Sequence, residues 1–384
     1  MIMIESKDVC CGCAACAQSC VKQCVNMTLD DEGFLYPEFN KELCINCRKC
    51  EQVCPVINVA IPNDSILGCY VGYTNNRDER LKSSSGGLFG LFAEYVLLNN
   101  GVVYGAAFDT DFLVHHIRVD SVNSLPKLQG SKYLQSRIEN TFIEVKKDLD
   151  NNLIVLYSGT ACQIAGLKLF LKKDYSNLLT IDILCHGVPS PSVWNAYISY
   201  LSQKYDGKIK HVSFRNKEFG WKNFVTNIGF DNGKEYIKSH NTDLFMRLFL
   251  SNTILRPSCY NCRFKNLNRP SDITLGDAWG ISKVLPEMDN DMGTSIILLH
   301  TESGKKYLDS IDDKITKTTI DIDRILPATA DSRKSVNVNS KRDQFFRMLN
   351  KNSFVCLTQW DLYYRLKRAK GIIASKLFTK DNRK

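Results

Sequence analysis

Two stretches near the start of the chain carry the same arrangement of thiols. CCGCAACAQSC sets Cys10, Cys13, Cys16 and Cys20 at C-x2-C-x2-C-x3-C, and CINCRKCEQVCP repeats that spacing with Cys44, Cys47, Cys50 and Cys54, followed by Pro55. Three closely spaced thiolates can wrap one iron–sulfur cube, while the fourth reaches the neighbouring cube. The spacing therefore assigns Cys10, Cys13, Cys16 and Cys54 to one 4Fe-4S cluster, and Cys44, Cys47, Cys50 and Cys20 to a second. A pair of structural zinc sites is the alternative, but zinc favours two separated C-x2-C hooks over runs of three plus one. Val21 stands where the second copy has Pro55, which alters a turn and removes no ligand. Cys11 and Cys24 fall outside the spacing and are expected as small buried residues.

Four further cysteines have a setting of their own. Cys162, in SGTACQIAG, sits at the turn after the apolar run LIVL, and Cys185 ends the next run in ILCHGVPSP. Cys259 and Cys262 form a C-x2-C hook in PSCYNCRF. Turns after neighbouring parallel strands share one sheet edge, where open α/β folds place ligands. The four make a candidate third cluster. A nucleophilic role for Cys162 would need a base and a lowered pKa, and its neighbours carry no charge. Cys69 and Cys356 are expected as core or incidental residues.

Two short stretches could hold a phosphate. SSSGG, Ser83 to Gly87, directly precedes an amphipathic helix, which would place amides and hydroxyls at a helix N-terminus. GSKY, Gly130 to Tyr133, adds a lysine and an aromatic ring. Both also suit a plain turn and cap, and neither is a G-x-G-x-x-G fingerprint. His186, beside Cys185, is a candidate proton donor to a reduced substrate or a structural hydrogen-bond partner. Asp277 and Trp279 in LGDAWG could face a cofactor ring or simply end a packed strand.

These residues need a scaffold, and the rest of the chain supplies one. GCYVGYT, GVVYGAAF, NLIVLYS and LLTIDILC read as strands; GLFGLFAEYVLLNN, ACQIAGLKLFLKK and PSVWNAYISYLSQKY read as helices. IKHVSFR, NFVTNIGF and KEYIKS read as a meander, NTDLFMRLFLSN as a helix, and DITLGDAWG and GTSIILLHT as later strands. The fold class expected is an α+β ferredoxin-type module, then an α/β domain with a mixed sheet, then a helical basic C-terminal tail. The boundaries expected are 1–60 for the module, 61–330 for the body (about 66–150 and 151–330), and 331–384 for the tail.

With 384 residues and 44% hydrophobic composition, the chain can build real cores. No basic-then-apolar leader precedes Cys10, and no apolar run approaches bilayer length. A reducing, cytoplasmic setting is expected, where sixteen cysteines favour metal over disulfides. The net charge of +9 is uneven: from Asp331 onward 14 Lys and Arg face four Asp and Glu, which leaves the preceding 330 residues at −1. A broad nucleic-acid surface is excluded, because it would spread basic residues over the folded face. In the tail, Arg365, Lys367, Arg368, Lys370 and Lys376 are interleaved with apolar residues. That pattern suits either peripheral contact with an anionic membrane or a helix docked on the body with its charges in solvent.

SSSGG, LQGSKY, SGTACQIAGLK, IDILCHGVPSP, FRNKEFGW, PSCYNCRF, SDITLGDAWG and GTSIILL occur in order from Ser83 to about Leu299. Through them the chain resembles the coenzyme F-420 hydrogenase/dehydrogenase beta-subunit family, in a version with an N-terminal 4Fe-4S ferredoxin module. The resemblance implies an iron–sulfur flavoprotein oxidoreductase that exchanges electrons between clusters and FAD. It puts Ser85, Gly86, Gly87, Gly130, Ser131, Lys132 and Tyr133 around FAD, and Cys162, Cys185, Cys259 and Cys262 on the cluster beside it. The CHGVPSP and PSCYNC stretches resemble versions found in bacterial polysaccharide gene clusters. Two functions follow: an enzyme passing electrons from ferredoxin or a similar donor to a small organic substrate, or an electron-transfer subunit whose partner performs the chemistry.

The interlocked assignment makes a checkable statement. Cys54→Ala should damage the cluster held by Cys10, Cys13 and Cys16 and spare the other, as read by electron paramagnetic resonance. Loss of the second cluster with the first intact would contradict the assignment.

Overall fold

In the computed structural model, which describes residues 6–58, 66–327, 330 and 333–381, the two cysteine runs fold alike. Helix α1 (Ala15–Gln18) and helix α2 (Lys49–Gln52) each begin two residues after the second cysteine of their run. Each is entered through a left-handed residue, Ala14 at φ 59° and Arg48 at φ 57°. Between them β1 (Val25–Leu29) pairs antiparallel with β2 (Leu35–Phe39), Val25 opposite Phe39. The Asp30 carboxylate closes their turn by accepting from the amides of Glu32 and Phe34.

The body begins with β3 (Gly68–Thr74), α3 (Arg77–Lys82), α4 (Leu88–Leu98), β4 (Val102–Phe108) and β5 (Val114–Val119). Next come α5 (Thr141–Asp150), β6 (Val155–Thr160), α6 (Ala161–Leu171), β7 (Leu178–Ile183) and α7 (Pro191–Tyr205). A meander of β8 (Ile209–Asn216), β9 (Val225–Phe230) and β10 (Glu235–Ser239) leads to α8 (Leu244–Leu250). The body closes with β11 (Ile273–Asp277), α9 (Ile281–Val284), β12 (Ser295–Leu299), α10 (Glu302–Asp309), β13 (Ile315–Thr319) and α11 (Ile322–Ile325).

Eight strands form one sheet in the order β13-β3-β12-β11-β7-β6-β4-β5. Its centre, β4, β6, β7 and β11, runs parallel, and the outer strands join antiparallel. The mixed sheet and the meander read from the sequence are therefore present. Parallel strands end at a common edge, so Cys162 after β6, Cys185 after β7 and Asp277 at the end of β11 arrive together. Two strands escaped the sequence reading. β5 (VHHIRV) and β13 (ITKTT) lie at the two edges, where half the surface meets solvent and the apolar signal fades.

The N-terminal module shares a core with the body. Cys13, Ala14, Ala15 and Val53 pack with Tyr104, Phe142, Tyr157, Ile164 and Leu167. Gly166 lets α6 approach the first cysteine run, since a Cβ there would stand 2.9 Å from Cys13 Sγ.

The tail forms α12 (Arg342–Lys351) and α13 (Ser353–Asp381). Phe345, Cys356, Leu357, Trp360 and Tyr364 enter the same core as Trp194, Tyr197 and Phe245, so Cys356 is a core residue. Tyr364 OH lies 2.9 Å from Ser251 Oγ, and the Arg247 guanidinium sits 4.0 Å above its ring. Arg365, Lys367 and Arg368 are exposed on the outer side; Lys370 and Lys376 lie beyond the described side chains. Of the two readings of the tail, the described side chains show the docked helix. Among the described residues no helix is long and apolar enough to cross a membrane.

Trp360→Ala should lower the stability of the whole chain by about 3 kcal/mol, because it empties a core position. Chemical denaturation checks this, and a loss under about 1 kcal/mol would show that the tail is not part of the core.

Candidate functional site

The module gathers its thiols at two places. Cys16, buried, has Cys10 and Cys54 as electrostatic neighbours, and burial pushes its thiol up to about 12. Cys20, Cys24, Cys44, Cys47 and Cys50 line one cavity of about 20 Å³ with Val21, Ile45 and Phe39. Cys24, expected as a space-filling residue, thus stands among the thiols, its Sγ 3.3 Å from that of Cys20. Among the described residues no three His, Cys, Asp or Glu side chains close on a point that would hold a single ion. Donor sets made of thiols alone suit either a cube with a thiolate at each corner or a zinc ion, and the three-plus-one spacing of each run favours the cube.

A third thiol cavity, of about 70 Å³, lies between module and body. Cys162, Cys185, Cys259 and Cys262 all line it. Cys11 lines it too, and its thiol is hydrogen-bonded to those of Cys13 and Cys162. Cys11, expected as a small buried residue, thus stands in the lining as a neighbour of Cys162, while Cys10 is a neighbour of Cys16. Arg256, Arg263, Lys265 and Arg269 share the lining, with Asp8 as its acid. Such a wall offsets the negative charge that four thiolates would bring into a buried place. Burial pushes the Cys185 thiol up to about 12 and raises that of Cys259 further.

Arg256 joins the two parts. Fully buried, it donates from Nε to the Cys10 carbonyl (2.8 Å), from NH1 to Gln135 Oε1 (2.8 Å) and from NH2 to the Leu35 carbonyl (2.9 Å). Its guanidinium lies 4.2 Å from the Tyr36 ring centroid. Gln135 Nε2 in turn donates to the Cys11 carbonyl at 3.1 Å. Arg342, paired with Glu32, adds a second clamp.

Beyond the third cavity opens a cleft along the carboxyl edge of the sheet. One chamber, about 310 Å³, is lined by Ser83, Ser84, Ser85, Gly87, Gly130, Ser131, Lys132 and Tyr133. A side arm of about 420 Å³ carries Lys82, Lys127, Lys132 and Arg215 and no acidic residue. A third chamber, about 760 Å³, holds His186, His240, Phe224, Trp279 and Asp277. Lys132, Tyr133, Thr160, Leu184 and Val188 line both the first and the third chamber. Cys185, Gly187 and Val188 line both the thiol cavity and the third chamber.

The SSSGG loop lines the chamber with four of its residues and is also held by bonds of its own. The Ser83 hydroxyl donates to the Arg80 and Ser85 carbonyls, and that of Ser85 to the Thr294 carbonyl. Gly86 is no lining residue; its amide donates to Ser295 Oγ, and a Cβ would stand 2.6 Å from the Gly72 carbonyl. Ser84 Oγ remains on the cleft side and accepts from Ser131 N at 2.7 Å, tying the loop to GSKY. Lys217 braces it from behind by donating to the Arg80, Ser85 and Met292 carbonyls. Lys132 Nζ donates to the Lys127 and Gln129 carbonyls, and burial lowers it to about 7. His186 Nε2 lies 2.7 Å from Asn252 Oδ1, its ring edge-on to Phe249. Asp277 receives two hydrogen bonds from Arg215, and Trp279 stacks on Trp221 at 4.5 Å. Cys69 lies on β3, away from the lining of these cavities.

His116 was not legible in the sequence and lines the first chamber. Its Nε2 donates to the Ser158 carbonyl at 2.9 Å, so Nδ1 accepts from the Ser136 hydroxyl at 2.6 Å. Burial lowers it to about 4 and keeps the ring neutral.

Comparison with known proteins agrees with the motifs. Residues 154–324 match the family model for the C terminus of the coenzyme F420 hydrogenase/dehydrogenase beta subunit, and residues 37–56 match "4Fe-4S binding domain". The chain is thus an iron–sulfur electron-transfer protein related to hydrogenase/dehydrogenase beta subunits. Among solved structures, a chain of the F420-reducing [NiFe] hydrogenase complex from Methanosarcina barkeri is similar at 14% identity and a TM-score of 0.45, over 77% of this chain and 90% of that one. No curated protein matches the chain.

His116 also gives the fold an acid limb. Its pKa is depressed on folding, so below pH 6.5 the unfolded chain binds the proton more readily and stability falls until about pH 4. The loss attributable to this one ring should total about 3 kcal/mol. Denaturation of the chain and of His116→Gln across that range checks it; identical pH slopes would contradict it.

Proposed function

We propose that the chain is an iron–sulfur flavoprotein oxidoreductase that passes electrons from reduced ferredoxin or a similar donor, through FAD, to a small organic substrate. The observation that supports this most is the shared wall of Cys185, Gly187 and Val188, with the thiol cavity on one side and the large chamber on the other. In this reading Cys10, Cys13, Cys16 and Cys54 hold one cluster, and Cys44, Cys47, Cys50 and Cys20 hold the second. Cys162, Cys185, Cys259 and Cys262 hold the third. When bound, these clusters would supply single electrons and FAD would pair them for two-electron chemistry.

The residues around the chambers have roles of their own. Lys82, Lys127 and Arg215 in the side arm suit the phosphates of a dinucleotide, with Ser84, Ser131 and Gly130 at its entrance. Leu128, Leu134, Ile183 and Leu275 give the first chamber apolar walls for a flat ring and exclude water from it. His186, steadied by Asn252, is the proton donor to a substrate in the large chamber. The polysaccharide-cluster resemblance makes a sugar-derived substrate the first class to assay. The beta-subunit match supports a second reading, an electron-transfer subunit without substrate chemistry. Turnover by the purified single chain separates the two.

Gly130 has φ 77° and no atom within 4 Å of where a Cβ would stand, so a side chain there would project into the open arm. Gly130→Asp adds a carboxylate where phosphates are expected and should weaken FAD binding at least about tenfold, since like charges repel in a partly buried site. Iron content should be unchanged. Fluorescence of released flavin after anaerobic purification checks this; unaltered flavin retention would contradict the assignment.

A further inference from the structure

The module carries its charge unevenly. Of its five described basic residues, Lys22, Arg48 and Lys49 line the thiol cavity of Cys20, Cys44, Cys47 and Cys50, Lys41 lies just before Cys44 in the chain, and all four are exposed. The acidic turn Asp30, Asp31 and Glu32 lies elsewhere: Asp30 pairs with Lys7 at 2.8 Å, and Glu32 pairs with Arg342 of the body. Within the basic rim, Glu51 is paired with Arg48 at 2.6 Å, and Glu42 is the other acid.

The same rim is apolar at its centre. Val21 is 62% exposed, Ile45 59% and Leu43 53%, and Val21 and Ile45 line the thiol cavity directly. Cys47 is the exposed cysteine among the sixteen, whereas Cys13 is buried against the body and Cys16 is buried within the module. An exposed apolar cluster beside an accessible thiol, in a rim of four basic and two acidic side chains, has the make-up of a transient docking face.

We propose that this rim of Val21, Leu43 and Ile45 with Lys22, Lys41, Arg48 and Lys49 is the docking surface for a small acidic redox-carrier protein, which delivers electrons at the Cys47 side. The proposal rests on the reading of the module as the electron entry point. Opposite charge would steer the carrier and set its orientation, and the apolar centre would bring it close enough for transfer. The interface would be small, as suits rapid release after each electron. Neighbouring thiols run from Cys50 through Cys16, Cys13 and Cys11 to Cys162, so the rim lies at the other end of that series from the third cavity.

Stopped-flow reduction of the anaerobically prepared full chain tests the proposal, with a strongly acidic reduced ferredoxin and, separately, reduced benzyl viologen as probes. Lys22→Glu together with Lys49→Glu should cut the second-order rate with ferredoxin about tenfold or more at low salt and flatten its ionic-strength dependence. Ile45→Ser should slow the ferredoxin reaction and leave the salt dependence in place. Iron should be retained, and the viologen rate should not fall along with the ferredoxin rate, because a small cationic dye needs no oriented dock and is not repelled by added carboxylates. If the chain holds iron and accepts electrons from the dye, yet ferredoxin reduces parent and charge-reversed chains equally fast, the docking face is wrong and the entry-point reading survives. A parent chain that the dye cannot reduce removes both.

Discussion

Arg256 carries a full charge with none of its surface exposed, and its three hydrogen bonds end on the Cys10 carbonyl, the Leu35 carbonyl and Gln135. A buried guanidinium left without these acceptors would cost several kcal/mol, so the module and the body must meet in one register. The consequences reach both ways along the chain. Cys10 neighbours Cys16 in the first thiol group and Cys259 lies three residues after Arg256, so one side chain ties the spacing of two thiol sites. Gln135 extends the tie to the Cys11 carbonyl and stands just after the GSKY loop of the cleft. Removing the arginine would not merely weaken a contact; it would uncouple the sites from each other.

The buried thiols impose a second constraint. Burial holds Cys16 and Cys185 near 12, so a metal-free chain keeps them protonated, and thiolates form there only with a compensating positive charge. Bound iron would provide most of it. Arg256, Arg263, Lys265 and Arg269 provide more around the third cavity, and Arg269 reaches on to Asp182 inside the sheet at 3.4 Å. That charged lining is distinct from the cleft's own cations, Lys82, Lys127 and Arg215, the last of them paired with Asp277.

Much of this was readable from residues in a row. The two cysteine runs, the apolar strands β3, β4, β6, β7 and β11, and the placing of Cys162 and Cys185 at one sheet edge all follow from local spacing and period. Partners far apart in sequence were not readable. Arg256 bonds a carbonyl 246 residues away, and a carbonyl leaves no trace in the residue type that bears it. Cys11 falls outside the motif because the motif counts thiols at every third position, and its neighbour Cys162 lies 151 residues away in the chain. SSSGG was legible as a loop before a helix but not in its detail, because Lys217, 132 residues on from Ser85, takes up its carbonyls. His116, in an edge strand with two histidines and an arginine, gave no apolar alternation to mark it.

Electron delivery to the cleft, as proposed, depends on a third cluster between it and the module. The most direct measurement is Mössbauer spectroscopy with iron and sulfide analysis on the anaerobically purified full chain and on Cys162→Ala. About twelve irons in three cubes are expected for the parent, and about eight for the variant with both module clusters intact. A parent with only about eight irons, or a variant that loses none, would contradict the third cluster.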